Sequence, residues 1–211
     1  MMEYIQMAPV ACAIFAFTIL TSIWAFYSDN IYAQLILHPF SVYRGQRVYT
    51  VVSSGFIHAD IMHLLFNMLS FSFFAFGLEP VLGHWQFGVL YFVSLILSDL
   101  PTVYKHKNDE WYHSLGASGA VSAVIFSYIL YSPVAPLGLM LIPGFEMPAV
   151  VFGVLYLIYC NYAAKRAADN INHDAHMFGA LSGLLITLAL HPHVVNGFIN
   201  QITEKVQSWM H

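Results

Sequence analysis

Charge is what this sequence has least of. Lys and Arg number 7 and Asp and Glu 11 in 211 residues, so 9% of the chain is charged against 59% hydrophobic. A soluble domain carries about 25% charged residues. The charges fall in a few short clusters, and the stretches between them are apolar, which is the pattern of a membrane bundle. The formal net charge of −4 and the lack of any basic stripe exclude a nucleic-acid partner. Cysteine is scarce too: Cys12 and Cys160 both lie inside apolar segments, without evident partners for a disulfide or a metal, and are read as packing residues. Residues 1–8 contain no Lys or Arg, which a secretory signal requires. The apolar run from Ala8 to Phe26 is long enough to cross a bilayer, which takes ~20 residues, and is expected to be a retained first helix. The apolar runs also lack period-two alternation. Since only helices and closed barrels satisfy backbone groups in hydrocarbon, the fold class is all-α membrane protein.

Six segments are expected to span the bilayer: 8–27, 60–79, 86–103, 116–132, 148–164 and 175–191. Loops at 28–57, 80–85, 104–115, 133–147 and 165–174 are marked by Pro, Gly and charge. The whole chain, 1–211, reads as one membrane domain with a core at about 8–191 and a short tail at 192–211, whose end from Gly197 suits an interfacial helix. The apolar patch Leu137–Ile142 is too short to span, so 133–147 is expected to be a loop at the membrane surface. No internal repeat or pair of broken helices points to a transporter.

Ionisable and hydroxyl residues inside a membrane bundle are costly to bury and mark function. Three stretches carry them. The second segment has His58, His63 and Asn67; the fourth opens Gly116-Ala117-Ser118-Gly119-Ala120; the sixth opens His173-Asp174-Ala175-His176, followed by Gly179 and Gly183. All three segments start from odd-numbered loops, so their N-terminal ends share one membrane face. A serine hydroxyl needs an adjacent base, and histidine, with an unperturbed pKa of about 6.5, suits that role. Ser118 falls in the first turn of its helix, where free N–H groups and the dipole favour a developing oxyanion. His63 and Asn67, at i and i+4, share a helix face and can both donate to that oxygen. His58, five residues before His63 and so about 140° away around a helix, belongs to another face or to the preceding loop. Gly179 and Gly183 form a GxxxG stripe that permits close helix approach.

The GASGA run, the HxxxxHxxxN of His58, His63 and Asn67, and the AHxxG of Ala175–Gly179 together resemble the signature motifs of rhomboid intramembrane proteases over about residues 40–190. The resemblance implies a six-helix core, a Ser118–His176 catalytic dyad, and an oxyanion hole from His63, Asn67 and the Ser118 amide. Gly116, Gly119, His58 and Gly179 would be supporting residues. It implies no cofactor and no metal, transmembrane protein substrates, and a multi-pass protein of the lipid bilayer. The compact core without a seventh helix resembles bacterial members, placing the protein in an inner membrane with its active site facing outward. Tyr43-Arg44 stands where the family's Trp-Arg pair usually lies, and Glu79 and Gly83 resemble residues that brace the inner end of the second helix. Where some members place an aromatic residue under the catalytic histidine, four positions after the serine, this sequence has Ser122. Another residue must then support His176.

Three other readings compete. A zinc site from His58, His63, His173 and His176 leaves the serine motif unexplained and lacks HExxH. A non-catalytic relative that only binds membrane helices ordinarily lacks the serine or the histidine. Asp174 as a third catalytic member is less economical than Asp174 as a loop or N-cap residue; His173, His84, His106, His113, His191 and His193 read as interfacial. Orientation carries a conflict. Arg44, Arg47, Lys105, Lys107, Lys165 and Arg166 lie in odd loops and Lys205 alone on the other side, so the positive-inside rule would turn those loops to the cytoplasm. The family topology is preferred over a rule resting on seven residues.

Overall fold

The computed structural model describes residues 2–139, 142–166 and 171–210. Seven of its helices build the bundle: α1 (Pro9–Phe26), α2 (Ile61–Leu82), α3 (His84–Lys105), α4 (Ser118–Tyr131), α5 (Ala149–Arg166), α6 (His173–Leu190) and α7 (Val194–Met210). The first six coincide with the six apolar segments. Among the described residues, α1, α2 and α3 are each long and apolar enough to cross a membrane, and α6 with α7, bent by 112°, makes a possible fourth. The outer faces are apolar: Phe73 is 76% exposed and Leu185 68%, which suits lipid and not water.

Several boundaries differ from expectation. The loop expected at 80–85 shrinks to Gly83: α2 runs through Pro80 to Leu82, and α3 starts at His84. Gly83 achieves this with φ +98°, a conformation open to glycine but strained for other residues. α3 keeps Pro101 inside the helix, as the expected segment 86–103 does, and extends two residues further at each end, from His84 to Lys105. The surface loop at 133–147 contains a hairpin of β1 (Pro136–Leu139) and β2 (Ile142–Pro148), antiparallel with an irregularity after Gly138, so the fold is not purely helical. Residues 140 and 141 of the apolar patch lie outside the described residues. The tail forms a longer helix than expected, α7.

α4 occupies the centre, touching α2, α3, α5, α6 and α7. Ten of its 14 residues are buried, which explains why small and apolar residues cover its whole circumference. Its partner α6 presses Gly179 and Gly183 onto it. A Cβ on Gly179 would overlap the Gly119 carbonyl, and one on Gly183 would overlap the Ala123 carbonyl. Those obstacles are backbone and cannot swing aside, so the GxxxG stripe sets the interhelical distance. At the opposite end the buried Glu79 carboxylate accepts the amides of Val10 (3.1 Å) and Ala11 (2.6 Å) and pairs with His84 Nδ1 at 2.7 Å. Backbone hydrogen bonds between Leu37 and Ser114 (3.0 and 3.1 Å) join the first and third loops on one face of the bundle, as the segment count required.

Candidate functional site

A cleft of about 790 Å³ opens between α2, α4, α6 and the loop before α4. His63, Asn67, Ser118 and His176 all line it, with Asp60, Phe66, Trp111, Tyr112, His113, Ser114, Ile171 and Asn172 among its other walls. Asp60 caps α2 by accepting the His63 amide at 2.8 Å, which fixes the first turn that carries His63. One turn later Asn67 donates through Nδ2 to the His63 carbonyl at 3.0 Å, leaving its second Nδ2 hydrogen for another acceptor. Ser118 is the first residue of α4, and its N-cap Ala117 supplies no side-chain cap. Gly116 precedes it with φ +113°, and a Cβ there would sit 2.8 Å from the His63 ring. The glycine is therefore required twice, by its backbone angle and by the imidazole against it. On the other wall, a Cβ on Gly119 would meet Ser98 and lie 3.4 Å from the Ala175 carbonyl. The neighbours of Ser118 and His176 are thus in direct backbone proximity.

The family model for the Rhomboid domain matches residues 45–193, more than half of the chain and the whole of this cleft. The chain belongs to the rhomboid family. It is 29% identical over 140 residues to "Presenilin-associated rhomboid-like protein A, mitochondrial" of Danio rerio, covering 65% of this chain and 36% of that protein. "RHOMBOID-like protein 4" of Arabidopsis thaliana is 27% identical over 171 residues, 76% of this chain and 38% of that protein. "Rhomboid protein 1, mitochondrial" of Saccharomyces cerevisiae is 30% identical over 144 residues, 64% and 40% of the two chains. This chain spans well under half the length of those curated relatives. It is a helical membrane protein of the rhomboid family.

Within this rhomboid domain His58 lies in the loop before α2, not on the cleft wall. Ser22 Oγ donates to the Phe56 carbonyl (3.1 Å) and so accepts from His58 Nδ1 (2.9 Å), while His58 Nε2 accepts the Ala117 amide at 3.4 Å. These partners assign the neutral tautomer protonated on Nδ1. Burial, and next the neighbouring His63, push the His58 imidazole down to about 3, in keeping with an uncharged ring. His58 therefore ties α1 to the residue before Ser118, and its ring meets His63 edge-on at 4.8 Å.

The residue that supports His176 comes from α5. The Tyr156 ring lies nearly parallel to His176, at 16° with centroids 6.4 Å apart, inside the range of aromatic pairs. Its hydroxyl is 2.8 Å from Ser122 Oγ. The serine four positions after Ser118 thus anchors an aromatic ring from another helix. Sequence reading missed Tyr156, although Ala149, Gly153, Tyr156, Cys160 and Ala163 recur every three or four residues, with Tyr156 the large polar member of that stripe. Asn172 was missed as well. It caps α6 by accepting the Ala175 amide (3.0 Å) and binds Thr102 and Ser114 through Nδ2 (2.9 and 3.1 Å).

Other expectations need correction. Asn172 and not Asp174 is the cap; Asp174 pairs instead with Lys105 at 2.5 Å. His173 is buried in the protein. His113 lines the cleft and stacks on His38 at 4.6 Å. Cys160 is not isolated: its Sγ and one nitrogen each of His173 and His176 all lie within 4.8 Å of one another. The four-histidine zinc set does not gather as a unit among the described residues; Cys160, His173 and His176 do. Arg44 stands over Phe40 at 3.5 Å and donates to the Phe40 and Lys107 carbonyls.

Proposed function

We propose that the protein is an intramembrane serine endopeptidase with a Ser118–His176 dyad, cutting transmembrane segments of membrane proteins near their outer ends. The observation that carries this reading is the shared cleft of Ser118, His176, His63 and Asn67. Ser118 Oγ attacks the scissile carbonyl carbon while His176 accepts its proton. The tetrahedral oxyanion receives hydrogen bonds from His63, the free Nδ2 hydrogen of Asn67 and the Ser118 amide. Collapse breaks the C–N bond, and His176 returns the proton to the leaving amine. Water then attacks the acyl-enzyme, with His176 again taking and giving one proton. Each oxyanion donor is worth about 3–4 kcal/mol of transition-state stabilisation. No resident cofactor enters any step.

The six helices α1–α6 are read as six spans. At 14 residues α4 is about 21 Å long, shorter than a hydrocarbon core of about 30 Å, so Ser118 would lie below the membrane surface, with the cleft admitting water from the loop side. The substrate must unwind locally to expose a peptide bond. α5 and the loop 165–174 are the proposed lateral gate, of which residues 167–170 lie outside the described residues. Supporting the preferred orientation over the charge rule, four of the six cations in the odd loops have local roles. Arg44 and Arg47 bind loop carbonyls, Lys105 pairs with Asp174, and Lys107 sits over Tyr104 at 3.8 Å. The proposed setting is a bacterial inner membrane with the cleft outward, although two of the relatives above are named as mitochondrial. Cysteines introduced at Lys107 and Lys205 should label from the outer and inner side respectively; the reverse would invert the topology.

The test is cleavage of a labelled panel of transmembrane substrates in liposomes by wild type, Ser118→Ala and His176→Ala. Loss in both variants, with activity surviving a chelator, supports the dyad. Cleavage by Ser118→Ala, or its loss on chelation, overturns it. A wild type that binds the panel without cutting would favour a helix-binding rhomboid relative.

A further inference from the structure

We propose that Cys160, His173 and His176 form a binding site for a divalent cation of the zinc class, and that filling it switches the rhomboid off. The inhibitory half of this inference rests on His176 being the catalytic base.

The ligands come from two helices. Cys160 lies on α5; His173 and His176, at i and i+3, share one face of the first turns of α6. Their donor atoms all lie within 4.8 Å of one another. Zinc takes imidazole nitrogen at about 2.0–2.1 Å and thiolate sulfur at about 2.3 Å, so two nitrogens and one sulfur around a tetrahedral ion stand about 3.3–3.6 Å apart. Closing the remaining distance of about 1 Å needs small side-chain rotations rather than helix movement. Two imidazoles and one thiolate suit a borderline-soft ion, not magnesium or calcium, which prefer oxygen. Cys160 and His173 are buried whereas His176 is only partly so and lines the cleft. The ion would thus enter from the cleft, with a water completing its shell on that side. On binding, the Cys160 thiol becomes thiolate and releases its proton to solvent.

Inhibition follows from which lone pair the ion takes. On the nitrogen facing Ser118, the ion occupies the electron pair that should accept the hydroxyl proton. On the other nitrogen, it leaves the Ser118-facing one already carrying the ring proton. In either case His176 cannot act as a base. The ion would also bolt α5 to α6 beside the proposed gate.

The experiment uses purified, chelator-stripped protein in detergent. Wild type should bind one Zn²⁺ by calorimetry and show a thiolate-to-cobalt absorption band with Co²⁺. In Cys160→Ser the band should vanish, and in Cys160→Ser and His173→Gln the zinc affinity should fall about tenfold or more, since one ligand of three is lost. Thermal unfolding of both variants without metal checks that they are folded. Zinc should suppress wild-type cleavage, and each variant, read as a ratio to its own chelated sample, should resist it. Equal zinc affinity in wild type and Cys160→Ser, no cobalt–thiolate band, or equal inhibition of both would overturn the site. A band and stoichiometric binding without cleavage by any form would leave the metal site standing and bring down the protease reading instead.

Discussion

α4 and α5 flank the same histidine and could hardly be held more differently. Ten of 14 residues of α4 are buried, against Ala149, Gly153, Cys160 and Ala163 of the 18 in α5. α4 is gripped from every side, with backbone against backbone at Gly119–Gly179 and Ala123–Gly183. α5 is attached along one narrow stripe, where Gly153 faces Ile129 and Phe126 and Tyr156 reaches Ser122. The serine therefore rides on the most constrained helix of the bundle. The ring beneath His176 rides on one of the least constrained. Under the proposed mechanism, rigid placement of the nucleophile and adjustable support of the base would be separate functions of separate helices.

The sharpest way to break that contrast is to force α4 and α6 apart. Gly179→Val puts a branched side chain into the Gly119 carbonyl; overpacking of this kind costs roughly 3 kcal/mol, and cleavage and the cooperative unfolding transition should both be lost. Next comes the cleft wall. Asn67→Ala should lower kcat about 10²–10³-fold with little change in KM and an unaltered unfolding midpoint; an effect on KM alone would remove Asn67 from the oxyanion hole.

His58 tests how α4 is tied to α1. Its folded-state value near 3 lies below the ordinary 6.5, so below pH 6.5 the unfolded chain takes up a proton that the folded protein refuses. The stability associated with this ring is complete above pH 6.5 and is lost as pH falls toward 3, by about 1.4 kcal/mol per unit. Unfolding midpoints from pH 7 to 4 should drop steeply in wild type and less so in His58→Gln. Equal slopes would show that His58 is not the proton acceptor.

On the α5 side the effects are smaller. Tyr156→Ala should reduce kcat about tenfold and shift the alkaline-to-acid pH profile of cleavage, as expected for a displaced base. Ser122→Ala should do the same more weakly, and Tyr156→Phe, which keeps the ring, should recover part of the loss. An unchanged pH profile in Tyr156→Ala would make the tyrosine mere packing. Smallest of all, Gly77→Ala on α2, with nothing within 4 Å of the added carbon, should stay within about 0.5 kcal/mol of wild type, separating glycines that set a distance from glycines that do not.

The parts legible in sequence are those that a local pattern determines. GASGA, the i, i+4 pair His63–Asn67 and the GxxxG stripe each report a helix face directly, and segment parity places their ends together. What stayed hidden depends on how helices rotate against one another. Nothing in the spacing of Cys160 and His173, which are thirteen positions apart, says that they turn toward one histidine. Ser122 announced a missing ring without saying which helix supplies it. Pro80 misleads because a proline at the edge of a segment reads as a stop, whereas the helix continues through it to Leu82.

The bond from Glu79 to the start of α1 bears on the order of events during synthesis. The amides of Val10 and Ala11 find their acceptor 69 and 68 residues further along the chain. At about 5–20 residues per second, the first helix waits roughly 3–14 seconds after leaving the ribosome before its carboxylate arrives. Throughout that interval its leading turn must rely on water or headgroups at the bilayer edge. A nascent chain arrested before residue 79 should thus hold α1 loosely and slip in the membrane. One arrested well past His84 should hold it locked.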